Sequence, residues 1–220
     1  MYKLILSLCA LAVVSAVVQP SSPVWPNQWQ SDFNEMAKTP IIGSGNTTGT
    51  FYYDYTNSVY RIDRKNGRAD RYCGSVKLHK DTPCTHLVVD DMRYLYYPEL
   101  NYCCACCTSA DGCGLVTPNW LNNATYVGQT TLDGVTVDEW SIKGLQQNLY
   151  YELPSSRTPV LIDMQPNDYI YYNTSTFQAK IVDPSVFNLP AGCSPKTKCS
   201  KLSVCGVARM QGAAKRALGL

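Results

Sequence analysis

Five cysteines fall between Cys103 and Cys113: the run Cys103-Cys104-Ala105-Cys106-Cys107, then Cys113. They follow directly on the tyrosine-rich stretch Tyr94-Leu95-Tyr96-Tyr97, which reads as a β-strand. Neighbouring side chains of an extended segment point to opposite faces, and a disulfide needs Cβ bonds that converge. Adjacent cysteines are therefore expected to bond to different partners, so that one short segment is stapled in several directions. Cys73, Cys84, Cys113 and Cys193 are available as partners if Cys199 and Cys205 close a small loop in the tail. The rest of the chain has to shape, oxidise and shield this piece.

The compartment follows from the other end of the chain. Lys3, the apolar run Leu4–Val14 and the small-residue site Val14-Ser15-Ala16 read as a signal peptide over residues 1–16. The run is shorter than the roughly 20 apolar residues of a membrane span, and no second apolar stretch approaches that length, so no transmembrane anchor is expected. Cleavage removes Cys9 and leaves ten of the eleven cysteines. An even number in an exported chain predicts complete pairing of Cys73, Cys84, Cys103, Cys104, Cys106, Cys107, Cys113, Cys193, Cys199 and Cys205. Three glycosylation sequons agree, at Asn46, Asn123 and Asn173, each in an expected turn or strand end. The expected location is extracellular or the lumen of the secretory pathway.

The same setting weighs against chemistry at the cysteines. Cys-Cys-x-Cys-Cys with His79 and His86 nearby is rich in ligand types, but zinc sites need thiolates kept reduced at spacings such as Cys-x-x-Cys. A catalytic thiol needs an unpaired cysteine with a base. Neither a Gly-x-Ser-x-Gly, a phosphate loop nor a His-Glu-x-x-His occurs, and Asp90-Asp91 and Asp138-Glu139 fall on turns or strands. The chain is expected to be neither an enzyme nor a metalloprotein. Residues 17–194 hold twelve basic and seventeen acidic side chains, a body charge of about −5, which makes nucleic acid an unsuitable partner. Residues 194–220 carry six basic side chains and no acid, and read as a basic, flexible tail.

Between these ends the pattern is that of strands. Residues 17–48 read as an extended, proline-punctuated N-terminal segment with one short helix over 29–38, capped by Ser31 and broken before Pro40, with Trp25 and Trp29 plugging an end of the core. Residues 49–193 read as an antiparallel β domain of nine or ten strands with short connections, Arg68 to Val76 among them. Sixteen tyrosines against four phenylalanines give many strands a second aromatic face: Tyr52 opposite Phe51 and Tyr53, Tyr150 opposite Leu149 and Tyr151, Tyr169 and Tyr171 opposite Ile170 and Tyr172. A sheet apolar on both faces has to be covered on both, by the chain's own ends or by a ligand.

Pro118-Asn-Trp-Leu-Asn-Asn-Ala-Thr-Tyr-Val-Gly128, Gly134 with Trp140, Tyr150-Tyr151, Pro159-Val160, and the closing Pro184-Ser-Val-Phe-Asn-Leu-Pro-Ala-Gly-Cys193 form a pattern. With Cys84-x-x-x-Val-Val and the double cysteine after it, this resembles the secreted ependymin-related and LolA-like proteins. The resemblance covers residues 50–193 and implies a curved antiparallel half-barrel enclosing a hydrophobic cavity. A lipid or other apolar small molecule would then be the partner, and calcium, bound by animal relatives, the one cofactor to consider. The dense cysteines and the basic tail depart from that family's simpler set. The lining is assigned to Trp140, Tyr150, Tyr151, Ile170 and Tyr172. The competing reading is a structural glycoprotein of the extracellular matrix or cell surface, with matrix contacts and no small-molecule ligand.

Overall fold

The computed structural model describes residues 19–39, 43–78, 80–144, 146–181 and 183–218. The segment read as a signal peptide, with Cys9, and His79 lie outside them. The described chain is mainly β: one open, curved, antiparallel sheet of eleven strands in the order β6-β5-β4-β3-β2-β1-β11-β10-β9-β8-β7, with two α-helices. The strands are β1 (Gln28–Thr39), β2 (Gly43–Asp54), β3 (Val59–Arg64), β4 (Cys84–Val89), β5 (Met92–Tyr97), β6 (Tyr102–Thr108), β7 (Thr125–Leu132), β8 (Val135–Lys143), β9 (Gln147–Glu152), β10 (Pro159–Met164) and β11 (Asp168–Tyr172). Two meanders run outward from a centre where β1 pairs with both β2 and β11.

That centre corrects the N-terminal reading. Residues 29–38 form no helix; they are most of β1, and the sheet begins at Gln28 rather than at residue 49. Trp29, Ser31, Phe33, Glu35 and Ala37 are buried in strict alternation with less buried neighbours, the period of a strand. The polar residues at two of those inward positions imitate a helix cap, yet both are satisfied inside: Ser31 Oγ donates to the Asn173 carbonyl at 3.0 Å, and Glu35 pairs with Arg64. Trp29 is accordingly a central strand residue, while Trp25 folds over it edge-to-face at 5.0 Å between ring centres.

Arg71–Val76, expected within the meander, is helix α1. Asp70 caps it, accepting from the backbone N–H groups of Tyr72 and Cys73 at 3.1 and 2.7 Å. Gly67 lets the chain fold close against the Cys73–Cys84 disulfide there: an added Cβ would stand 2.5 Å from that of Cys84.

All ten described cysteines are paired, and neighbours do have different partners: Cys73–Cys84, Cys103–Cys193, Cys104–Cys199, Cys106–Cys205 and Cys107–Cys113. Cys103 packs with Tyr94, Ala105 and Cys193 in one cluster, whereas Cys104 and Cys106 pack with Leu95 and Tyr97 in another. The expected small loop between Cys199 and Cys205 does not form, and Cys73 and Cys84 bond to each other. The reason is the edge of the sheet. β6 pairs with β5 on one side only, and an open edge has to be covered. Residues 197–199 do this: Ala105 N–H donates to the Thr197 carbonyl at 2.7 Å and Cys199 N–H to the Ala105 carbonyl at 3.0 Å. The tail is therefore tied down rather than flexible. It ends in helix α2 (Val204–Ala217), capped by Ser203, whose Arg209 donates to the Cys199 carbonyl at 2.7 Å and also to that of Cys106. Among the described residues no helix is long and apolar enough to cross a membrane.

Candidate functional site

The strand register decides which residues meet on the concave face. Trp140, Tyr150, Ile162, Ile170, Glu35 and Thr47 are successive cross-strand partners from β8 to β2. Leu95, His86, Ile62, Phe51 and Ser31 form a parallel row from β5 to β1. Trp25 and the segment carrying Leu115, Trp120 and Leu121 lie over the aromatic half of this face. Trp25 donates from its indole N–H to the Tyr150 hydroxyl at 3.1 Å, and Tyr53 donates to the Val116 carbonyl at 2.9 Å, so the cover is fastened to the sheet by hydrogen bonds.

The cover is incomplete. A cavity of about 290 Å³ remains over β2, β3, β10 and β11, bounded by α1 and residues 114–116. Its walls are largely apolar, including Phe51, Ile62, Ile162, Met164, Ile170 and Tyr172. A wider depression of about 550 Å³ lies around Asp32, Asn34, Thr48, Thr50, Lys65 and Tyr171, on polar strand positions of the other face, and has the character of ordinary surface.

Of the five expected lining residues, Ile170 and Tyr172 line the cavity. Trp140 and Tyr150 belong to the same apolar cluster but are fully buried under the cover. Tyr151 points the other way, packing with Val137 and Leu161 on the opposite face. The sequons are all exposed: Asn123 and Asn173 in turns, as expected, and Asn46 within β2 rather than at its end.

One end of the cavity is charged, which the sequence reading missed. Arg64, at the inward end of β3, donates from Nε and Nη2 to the two Glu35 oxygens at 2.5 and 3.1 Å. The pair spans β2, on which Gly49 lies opposite Arg64 and Thr47 opposite Glu35; a Cβ on Gly49 would stand 1.7 Å from the Asp63 carbonyl oxygen. Asp70 lies 3.6 Å from Arg64 Nη2 and 2.9 Å from His86 Nε2. Burial works against the Asp70 carboxylate, but His86, Arg64 and the Cys73 N–H together hold it well below the usual range. Burial pushes His86 below its ordinary value despite Asp70. Burial, with Glu35 beside it, pushes the Asp168 carboxyl well above the carboxylate range. Arg93 lies over the faces of Tyr72 and Tyr60, at 4.8 and 5.6 Å from the ring centres.

His86 and Asp70 lie as in a nucleophile-activating pair, and Cys73 and Cys84 are within metal-ligand distance of His86. Both sulfurs are bonded to each other, however, so they offer no thiolate for attack or ligation. No described carboxylates gather around Asp90, Asp91 or Asp133 in a metal-ligand cluster that would hold calcium.

Farther along the concave face, burial pushes Glu152 up to about 7 against the pull of Arg157 at 3.0 Å. An unfolded carboxyl titrates near 4.5. Between those pH values the native state keeps a proton that the unfolded chain has lost, so this contribution to stability is complete below the window and lost as pH rises through it. Glu152→Gln is expected to flatten the fall in urea midpoint between pH 4.5 and 7, leaving the part due to Asp168, which has the same sign. An unchanged slope would refute this.

Fold and site together define an open curved β-sheet with a half-covered pocket, apolar along most of its length and charged at one end. The chain belongs to the family described as Domain of unknown function (DUF8395), whose model matches residues 24–193, from the Trp25 cover to Cys193. No curated protein matches it. Solved structures of similar chain path include an uncharacterized conserved protein from Thermus thermophilus, with TM-score 0.48, 8% identity and coverage of 77% of this chain and 89% of that one. They also include the LolA superfamily protein NE2245 from Nitrosomonas europaea (0.35, 6%, 74% and 91%) and a DUF1329 family protein from Desulfovibrio piger (0.37, 6%, 77% and 92%). Two of the three descriptions name the LolA superfamily and the DUF1329 family, and none names ependymin.

Proposed function

We propose that this is a secreted, glycosylated, disulfide-braced protein that binds a lipid or other apolar small molecule on the concave face of its sheet. The observation that carries this is the cavity itself. A curved sheet whose inner face is covered by its own chain over the aromatic half, yet left open over Ile162, Ile170 and Tyr172, presents apolar surface to whatever enters. Its 290 Å³ lies at the lower end of small-molecule sites, which run from about 300 to 1,000 Å³. Sequestering that surface from water is the driving force. The Cys73–Cys84 disulfide ties α1, which bounds the cavity, to β4, and no catalytic step is assigned to the site.

The test uses protein secreted from a eukaryotic host and a neutral apolar fluorophore, N-phenyl-1-naphthylamine. Saturable fluorescence enhancement is expected, with at least a tenfold loss of affinity in Ile170→Trp, which fills the cavity, and native-like near-UV circular dichroism in both. Wild-type protein that neither enhances the probe nor carries lipid by native mass spectrometry would favour the matrix-glycoprotein reading instead.

A further inference from the structure

The charged end of the cavity contains hydrogen-bonding capacity that the protein does not use. Arg64 is buried to 4% side-chain exposure, and its Nη1 has no hydrogen-bond partner among the described residues. Arg93 Nε is buried and also lacks one. Both residues line the cavity, and both act electrostatically on the Tyr60 hydroxyl and the His86 ring, so the two guanidinium groups converge on one region. A buried guanidinium N–H without an acceptor is costly, and a carboxylate is its natural complement.

The local charge agrees. The cations there are Arg64, Arg93 and the exposed Arg71; the anions are Glu35 and Asp70. Burial pushes His86 below its ordinary value, and burial with Glu35 beside it pushes Asp168 above the carboxylate range, its proton committed to the hydrogen bond with Glu35. Arg64 and Arg93 balance Glu35 and Asp70, the surplus positive charge being that of Arg71. It is the unused N–H groups of the two inner guanidiniums that lie next to walls of Ile62, Ile162 and Ile170.

We propose, building on the apolar-ligand reading, that the ligand is a single-chain amphiphile whose carboxylate head sits between Arg64 Nη1 and Arg93 Nε, with its chain against the isoleucine wall. Size narrows the choice: at roughly 30 Å³ per water-sized group, the cavity of 290 Å³ takes on the order of ten non-hydrogen atoms. That is a medium-length chain, with anything longer projecting from the mouth.

The experiment compares decanoate with decanol, which has the same chain and no charge, by displacement of N-phenyl-1-naphthylamine at pH 7. Wild-type protein is expected to bind decanoate about tenfold or more tightly than decanol, as a charge-assisted pair in a dry site provides. Arg93→Gln is the diagnostic variant, since Arg93 is not part of the Glu35–Arg64 pair that supports the fold. It is expected to weaken decanoate at least fivefold and leave decanol unchanged. Equal affinities for the two in wild type, or equal losses in Arg93→Gln, would overturn the carboxylate assignment while leaving the apolar-ligand reading standing. Failure of the probe and both chains to bind would overturn both.

Discussion

Glu35→Ala is expected to cost about 3–5 kcal/mol of unfolding free energy, measured by urea denaturation with the disulfides intact. Arg64 has 4% side-chain exposure and Glu35 1%, so neither charge can turn to water when its partner goes. Asp70 already pairs with Arg64 at 3.6 Å, but it is held by His86 and the α1 cap and does not replace the two hydrogen bonds of Glu35. Asp168 is the one group that could respond: it is kept protonated by burial and by Glu35, and with Glu35 gone it ionises more readily towards Arg64. The loss is therefore expected to be larger in Glu35→Ala/Asp168→Asn than in the single variant. Glu35→Met/Arg64→Met is expected to recover much of it, because an apolar pair of similar bulk leaves neither charge of the pair stranded. A single-variant loss under about 1 kcal/mol would show that the ion pair is dispensable and that the charged end is not a fixed feature of the cavity.

That pair also marks where sequence reasoning stops. Hairpins are legible because period-two alternation and turn chemistry occur together, as in β7 and β8 around Asp133-Gly134, both with positive φ. β1 carries equally regular alternation, but its inward positions include Ser31 and Glu35, and polar residues there suppress the apolar signal. Their reason lies on β3 and beyond β11, out of reach of any local window. The same holds for the site. Ile170 and Tyr172 follow from strand pattern, whereas Tyr151 fails because Tyr150 and Tyr151 are equally aromatic and only register with Trp140 and Ile162 says which one faces inward. Arg64, Asp70, His86 and Arg93 sit on β3, the α1 cap, β4 and β5, a convergence that exists only once the sheet has curved. The cysteine segment is the reverse case. That its neighbours must bond apart follows from strand geometry alone, but which partners they take depends on the tail closing the β6 edge.

The tail supplies the second large effect. Cys104–Cys199 and Cys106–Cys205 close separations of 95 and 99 residues. Cys103–Cys193 already joins the same segments, so each closes only a short further loop, for which the chain-entropy model gives about 2–3 kcal/mol. Replacing Cys199 and Cys104 together by serine is expected to lower stability by that order, and removing both bridges is expected to free α2. The contacts left would be modest: Arg216 to Asp111 at 2.9 Å with Arg216 half exposed, the Arg209 bonds to backbone carbonyls, and the close approach of Gly212 to Asp111. Trypsin is then expected to cut at the exposed Lys196, Lys198 and Lys201 in the four-serine variant and not in wild type, and the uncovered β6 edge is expected to promote self-association. The cavity runs across β10, β11, β2 and β3 to His86 on β4 and Arg93 on β5, and neither bridge is among its lining residues. Decanoate affinity per folded molecule should therefore survive at low protein concentration. Protection of the three lysines in the four-serine variant would mean that packing alone holds the tail, and loss of decanoate affinity without loss of tail protection would place the bridges' role in the cavity instead.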